Sequence, residues 1–228
     1  MSPKEVYDIL KNDNSIINIY NKIEESEETK FYAYHNYSHV MNVMNVAEKI
    51  LKDLNESEDL IYQVKIASLL HDVGAITGKD GHAERSYLYA KKLFSDNNWN
   101  FDGMEDVLDA IRYHSASFDK DSIVTLSLIF ADKLDIKKTR ITPFGKQITG
   151  NREYSHIEDI DISINNNYLY VNFITDGNLN YDEFVGYYFT IKVFKAVIAF
   201  ANKINLGYKV TMDNIEMDIG VYEQSRNI

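Results

Sequence analysis

Two stretches of the chain combine apolar residues at helical spacing with a histidine on the apolar side. In one, offsets of four, three and four residues lead from Leu60 through Val64 and Ala67 to His71. In the other, His39 heads a stripe formed by Val43, Val46, Ile50 and Leu54. Residues at such offsets share one face of a helix, so both histidines are expected to face the core.

The first helices are predicted from capping signals and from the same periodicity. Ser2-Pro3-Lys4-Glu5 is a capping box with proline at the first helical position, which predicts a helix running to about Lys11. Residues Ile16–Ile23 predict a second, short helix, followed by an acidic and polar segment. Beyond His71-Asp72, the three glycines of residues 73–81 favour a flexible loop that can cover or admit a substrate.

Three further helices are expected after that loop. His82 opens the first, and Asp102 caps the second, which ends at His114. The third runs from about Asp121 to Lys138 and is apolar around most of its circumference. Asp132 lies in the middle of this apolar helix, so its side chain should be largely buried and should need a partner.

The periodicity changes to two in the last third of the chain. Residues 160–173 alternate apolar and polar side chains around the turn sequence Asn165-Asn166-Asn167, which predicts a β-hairpin. A third strand is expected at Lys209–Ile219, with a bulge near Asp213-Asn214 where the alternation slips. Between the hairpin and this strand, one long helix is predicted from a cap at Asn180 to about Asn205.

Composition narrows the classes of function. With 228 residues, 45% of them hydrophobic, the chain is long enough and apolar enough to fold around a sizeable core. The net charge of -11 disfavours binding to nucleic acid or to an anionic membrane, because both need a basic surface. The absence of cysteine excludes disulfides and thiolate ligands. With no basic leader and only short apolar runs, we expect a cytoplasmic protein.

Six of the polar residues are of types that bind metal ions and lie at helix ends or on apolar stripes: His39, His71, Asp72, His82, His114 and Asp132. A single histidine on an apolar stripe is more often a hydrogen-bonded core residue than a ligand, and His82 could simply cap its helix. Several such residues together, with a carboxylate that cannot be buried unpaired, indicate a divalent metal site.

The order of these residues, H, HD, H, H, D, resembles that of the HD-domain superfamily of metal-dependent phosphohydrolases, over Phe31 to about Arg140. The resemblance implies a helical fold in which one divalent metal is bound by His39, His71, Asp72 and Asp132. It also implies a second metal, bridged by Asp72 and held by His82 and His114. Spacing does not distinguish Fe, Mn, Zn, Co, Ni or Mg, and it leaves open whether one or two ions bind.

The segment Tyr34-His35-Asn36-Tyr37-Ser38-His39 is similar to the YHNxxH signature of cyclic-nucleotide phosphodiesterases, in which the first histidine protonates the leaving oxygen. The resemblance makes His35 a candidate general acid, the alternative being a loop histidine bonded to the backbone. The chain departs from those enzymes after Asp72 and beyond Arg140. In outline it is more similar to small bacterial HD hydrolases that act on nucleotides or dinucleoside polyphosphates.

We therefore expect a mainly α protein with an HD-domain helical core at residues 1–142. A small α+β appendage of three strands and one long helix should follow at residues 143–228. The appendage would shape the pocket or form a homodimer.

The expected activity is hydrolysis of a phosphate ester or anhydride in a small phosphorylated molecule, such as a nucleotide. Two metal ions about 3.5 to 4 Å apart suit this chemistry. The candidates for binding substrate phosphate are Lys79, Arg85, Lys133 and Arg140. The alternatives are a diiron HD-type oxygenase and a metal-binding regulatory module without turnover.

Overall fold

The computed structural model describes residues 1–116 and 118–223. Within this part of the chain, the protein divides into two compact units. The first comprises Met1–Glu27 and His35–Asp132, and the second comprises Glu28–Tyr34 and the chain from Lys133 onward. All six candidate metal ligands belong to the first unit.

The first unit is built from helices: α1 (Pro3–Leu10), α2 (Asn14–Glu27), α3 (Tyr37–Asp53), α4 (Glu58–Leu70), α5 (His82–Asp96), α6 (Met104–Tyr113) and α7 (Ile123–Leu134). The last two residues of α7 belong to the second unit. Helix α4 packs against α1, α3 and α6, which explains why its residues are mostly apolar. No helix in the described part of the chain is both long enough and apolar enough to cross a membrane.

The capping box at the start of α1 is confirmed, since Ser2 and Glu5 each bond the backbone of the other. Helix α2 begins earlier than predicted and continues one turn beyond Ile23, to Glu27. Its buried residues are Ile16, Tyr20, Ile23 and Glu27, at offsets of four, three and four. The acidic segment after Ile23 therefore supplies the last residue of the buried stripe.

Two predictions about connecting segments are wrong. The expected flexible loop begins with a 3-10 helix, Val73–Thr77, which packs closely on α5. A Cβ on Gly74 would lie 2.4 Å from the carbonyl oxygen of His82, so only glycine permits this approach. Helix α6 is preceded by Gly103 in a left-handed conformation, and Asp102 does not cap it. The backbone carbonyl of Asp102 instead accepts a hydrogen bond from Gln63 Nε2, at 3.1 Å.

The second unit contains a four-stranded sheet and two helices: β1 (Ile157–Asn165), β2 (Tyr168–Thr175), α8 (Tyr181–Gly186), α9 (Tyr188–Lys203), β3 (Gly207–Met212) and β4 (Ile215–Glu216). The strand order is β1-β2-β3-β4, with β2 and β3 parallel and the other two pairs antiparallel. The predicted hairpin is confirmed. Asn166 and Asn167 both have positive φ, as a two-residue hairpin turn requires.

In residues 143–223 the structure thus has four strands and two α-helices, where three strands and one helix were expected. Asp213 and Asn214 both have positive φ, so they form a tight turn between β3 and β4 instead of a bulge in one strand. The predicted long helix is interrupted at Tyr187, whose backbone is extended. A Cβ on Gly150 would lie 2.7 Å from that of Tyr187, which shows how closely the interrupting residue packs.

The second unit begins at Lys133, before the expected boundary at residue 142. Backbone hydrogen bonds explain this division. Lys138 N donates to Ile157 O at 3.0 Å, and Tyr34 N donates to Arg140 O at 2.7 Å. These bonds join the segment after α7 to the strand that follows it and to residues 28–34.

Gly103→Ala is expected to lower the free energy of unfolding of the first unit by about 2 to 3 kcal/mol. Left-handed backbone costs alanine roughly 1 to 2 kcal/mol. The new Cβ would also lie 2.1 Å from Gln63 Nε2 and displace its hydrogen bond, which is worth about 1 kcal/mol. Urea unfolding followed by the fluorescence of Trp99, the one tryptophan in the sequence, measures the change.

The control is the same substitution in a Gln63→Ala background. There the displaced hydrogen bond is already absent, so Gly103→Ala should cost only the backbone strain. Equal costs in both backgrounds would contradict the steric part of this explanation.

Candidate metal centre

The carboxylate of Asp72 lies between two pairs of histidines. Its Oδ2 is 3.1 Å from Nε2 of His71 and 3.4 Å from Nε2 of His39. Its Oδ1 is 3.1 Å from Nε2 of His82 and 3.4 Å from Nε2 of His114. Each oxygen therefore belongs to a different group of potential ligands, and Asp72 is common to both groups.

Asp132 joins the group that contains His39. Its Oδ1 lies 3.2 Å from His39 Nε2, and 16% of its side chain is exposed, which is more than the apolar surroundings in the sequence suggested. The structure thus brings all six candidate ligands of the sequence to one place.

Three of the histidines are oriented by the same local hydrogen bond. In each, ring Nδ1 bonds the backbone carbonyl three residues earlier: His71 to Ser68 at 2.8 Å, His114 to Ile111 at 2.8 Å and His82 to Lys79 at 2.7 Å. A carbonyl can only accept, so Nδ1 carries the proton in each ring. In the neutral imidazole, Nε2 then holds the lone pair that a metal ion needs.

These lone pairs would repel one another without a cation between them. Nε2 of His82 and Nε2 of His114 are only 2.9 Å apart, and both face Asp72 Oδ1. Among the described residues, neither oxygen of Asp72 nor Nε2 of His71 has a hydrogen-bond partner, although all three atoms are buried. Two ligand atoms that are each about 2.1 Å from one ion lie roughly 3 Å apart, so this donor set fits a divalent metal.

The pKa shifts of Asp72 and His114 favour the forms that bind metal, whereas the shift of His82 opposes binding. Burial raises the pKa of the Asp72 carboxyl, but the surrounding histidines, His71 above all, hold that pKa well below its usual range. Burial lowers the pKa of His114, and its contact with Asp72 only partly opposes this. Burial also lowers the pKa of His82, but Asp72 outweighs it and the net shift is upward. A charged carboxylate and a neutral imidazole are the forms that bind metal.

His35 lies beside both groups, with its ring centroid 6.1 Å from that of His39 and 6.1 Å from that of His82. Its partner is Glu27. One carboxylate oxygen of Glu27 lies 2.5 Å from ring Nδ1 of His35, and the other accepts the backbone N–H of His35 at 2.6 Å. Both side chains are buried. The sequence analysis did not single out Glu27, although the offset of four from Ile23 was a signal that could have found it.

The residues proposed to bind phosphate lie in different environments. Lys79 is exposed on the loop before α5. The guanidinium of Arg85 donates to backbone carbonyls of that loop, those of Gly74, Gly78 and Asp80. Arg85 therefore stabilises the loop, a role that the sequence did not indicate. Lys133 and Arg140 belong to the second unit, where Arg140 Nη1 lies 3.8 Å from Asp135 Oδ2.

Comparison with known families bears on the same part of the chain. The family model of the HD domain matches residues 36–137. This part of the chain is similar to the HD domain. All six candidate ligands lie inside the matched region, whereas Glu27 and His35 precede it. At the level of the superfamily, the HD domain supports a metal-dependent hydrolase and leaves the substrate open.

Among the solved structures, one similar chain covers part of this sequence. It is described as a predicted HD superfamily hydrolase from an uncultured Thermotogales bacterium, and it is 25% identical over 59% of this chain and 80% of that chain. Its TM-score of 0.40 is too low to add to the assignment. No curated protein matches the chain.

We expect fully reconstituted protein to bind two divalent metals, and His82→Ala or His114→Ala to bind one. Each substitution removes a ligand from the group at Asp72 Oδ1 and leaves the group at Oδ2 intact. Elemental analysis after reconstitution with Mn²⁺ measures the stoichiometry. His156→Ala, which changes a histidine of the second unit paired with Asp176, is the control and should keep two metals. Two tightly bound metals in either ligand variant would contradict the assignment.

Added Mn²⁺ should raise the melting temperature of the wild-type protein but not that of Asp72→Asn. A ligand at a hundredfold excess over its Kd stabilises the folded state by about 2.7 kcal/mol, and this stabilisation disappears when the shared carboxylate is replaced. Differential scanning calorimetry of metal-free protein with and without Mn²⁺ tests this. Asp59→Asn, at an exposed position in the first turn of α4, should keep the wild-type shift. An equal shift in Asp72→Asn would mean that Asp72 is not a ligand.

Proposed function

We propose that this protein is a metal-dependent phosphohydrolase that cleaves a phosphate ester or anhydride of a small molecule, such as a nucleotide. The observation that carries the proposal is the position of Asp72, whose two oxygens face separate pairs of imidazoles. This arrangement suits two ions that share one carboxylate. Hydrolases that use two metal ions clamp both the attacking and the leaving oxygen of a phosphoryl group.

The ligands divide into two sets. One metal would be held by His39, His71, Asp72 and Asp132, and the other by Asp72, His82 and His114. Divalent ions bound there would acidify water and neutralise the charge of the phosphate. Three of these histidines are oriented by hydrogen bonds to carbonyls of their own helix ends or loop.

Exposure indicates where a substrate would approach. His39, His71 and His114 are almost completely buried, whereas His82 is 9% exposed and the side chain of Asp132 is 16% exposed. The accessible side of the cluster is therefore the side of His82 and Asp132. A phosphate would reach the cluster from that side without opening the core.

His35 is the candidate general acid. Its Nδ1 is engaged by Glu27, so Nε2 is the ring nitrogen that can give a proton to the leaving oxygen. The negative charge of Glu27 would stabilise the protonated ring. This is the same relation that an acid has to a catalytic histidine in other hydrolases.

The nucleotide part of the proposal rests on the likeness of the sequence outline to small HD hydrolases. Of the basic candidates, Lys79 is exposed near His82, whereas the guanidinium of Arg85 donates hydrogen bonds to the loop. A panel of nucleotides, dinucleoside polyphosphates and simple phosphate esters, assayed with metal-reconstituted protein, tests the function. Oxygen consumption by iron-loaded protein would indicate the oxygenase instead, and metal binding without turnover would indicate a regulatory module.

His35→Ala should keep its metals and lose about 10²- to 10⁴-fold in turnover on an alkyl phosphate ester, the range that a general acid typically contributes. An aryl ester with a good leaving group should lose much less, because its leaving oxygen needs no proton. Steady-state kinetics on both esters, with metal content measured in the same samples, check this. His156→Ala is again the matched control. Equal losses on the two esters would exclude a general acid role.

A further inference from the structure

We propose that helix α2 is a positioning element of the metal site, in which Tyr20 fixes the last turn of α4, next to His71 and Asp72, and Glu27 fixes the ring of His35. The matched HD region begins at residue 36, so this helix lies outside it. The Glu27 part rests on the proposed function of His35. The Tyr20 part depends only on metal binding.

Tyr20 holds the last turn of α4, immediately before His71 and Asp72. Its hydroxyl donates to the carbonyl oxygen of Leu69 at 2.8 Å. The carbonyls in the last turn of a helix lack partners within the helix. Here Ser68 O bonds the ring of His71, and Leu69 O bonds Tyr20. The turn that holds both ligands is therefore fixed by a side chain from another helix.

The tyrosine is suited to this role because it is completely buried. Its hydroxyl satisfies the buried carbonyl of Leu69, whereas an apolar residue of the same size would leave that carbonyl without this partner. Helix α2 also packs against the 3-10 helix Val73–Thr77, which directly follows Asp72. Hence α2 supports the chain on both sides of the ligand.

Glu27 acts seven residues later on the same face of α2. It binds His35 through two oxygens, one to ring Nδ1 and one to the backbone N–H, so neither the ring nor the peptide can turn independently. Both contacts require the helix to extend to Glu27. The two polar residues of the buried stripe, Tyr20 and Glu27, are therefore the two that contact the site, while Ile16 and Ile23 supply the apolar packing.

The first test is Tyr20→Phe, which keeps the ring and removes the hydroxyl. Residues that orient metal ligands typically contribute 10- to 100-fold to metal affinity, so the Kd for Co²⁺ should rise by at least about 10-fold. Calorimetric titration of full-length, metal-free protein measures the Kd, and the absorption spectrum of bound Co²⁺ reports altered ligand geometry. Near-ultraviolet circular dichroism establishes that the variant is folded.

The matched control is Tyr154→Phe in the second unit. This substitution also removes a buried hydroxyl, one that bonds Thr190 Oγ1 at 3.0 Å, but it touches no ligand. It should lower stability and leave Co²⁺ affinity unchanged. If Tyr20→Phe behaves in the same way, with a Kd within twofold of wild type and an unchanged spectrum, Tyr20 is only structural and that part of the proposal is wrong.

The second test is Glu27→Gln, with the exposed Glu25→Gln on the same helix as the control. An amide places an NH₂ group where one carboxylate oxygen accepted a hydrogen bond, so either the ring or the backbone of His35 loses its partner. The ¹⁵N resonance of ring Nδ1 or that of the backbone amide of His35 should then differ from the wild-type value. Turnover on an alkyl phosphate ester should fall by about 10²-fold with unchanged Co²⁺ affinity.

The readouts separate this proposal from the proposed function. Absence of phosphatase activity in the wild-type protein would remove the function, yet Co²⁺ affinity and the ring resonances would still test α2. Unchanged resonances of both the ring and the backbone N–H of His35 in Glu27→Gln would overturn the positioning role of Glu27, whatever the activity. If Tyr20→Phe fails to fold, Glu27→Gln still decides whether the helix orients the site.

Discussion

The structure of the candidate site depends on one buried charge, the carboxylate of Asp72. It is almost completely buried, and its two oxygens face four imidazole nitrogens. A carboxylate in such surroundings must be compensated, because an isolated buried charge is strongly unfavourable. Neutral imidazoles with the lone pair on Nε2 do not compensate it, but a divalent cation does. Metal binding and the stability of this region are therefore linked, and the linkage explains why so many polar side chains occupy the interior of a helical unit.

Hydrogen bonds at helix ends orient the histidine rings of the candidate site. Helices α4 and α6 both end at a histidine whose ring bonds a carbonyl of its own last turn. One hydrogen bond therefore satisfies a carbonyl that the helix leaves unpaired and also orients a ligand. The start of α5 repeats this arrangement at His82, and the close approach of Gly74 brings that start against the 3-10 helix after Asp72. Small changes at these helix ends are therefore expected to affect the metal site directly.

The HD domain accounts for the ligands but not for everything that holds them. The general acid candidate and both positioning residues of α2 precede the matched region. The second unit, with its four-stranded sheet, is a separate compact body whose first segment, Glu28–Tyr34, is inserted between α2 and His35. Residues of the second unit therefore directly precede His35 in the sequence.

The sequence by itself determined the features that depend on local spacing. Apolar stripes placed His39 and His71 on the core side of their helices, and the asparagine turn identified the hairpin, because these patterns involve residues that are close in the chain. Only the tertiary structure shows which groups Glu27 and Arg85 bond. Their partners are set by packing between elements, and a carboxylate or a guanidinium looks the same in a sequence whether it is solvated or buried. The turn at Asp213 divides the predicted last strand into β3 and β4, and the sequence did not distinguish this turn from a bulge. Its residues suit a bulge as well as a hairpin, and only the pairing of β3 with β4 distinguishes them.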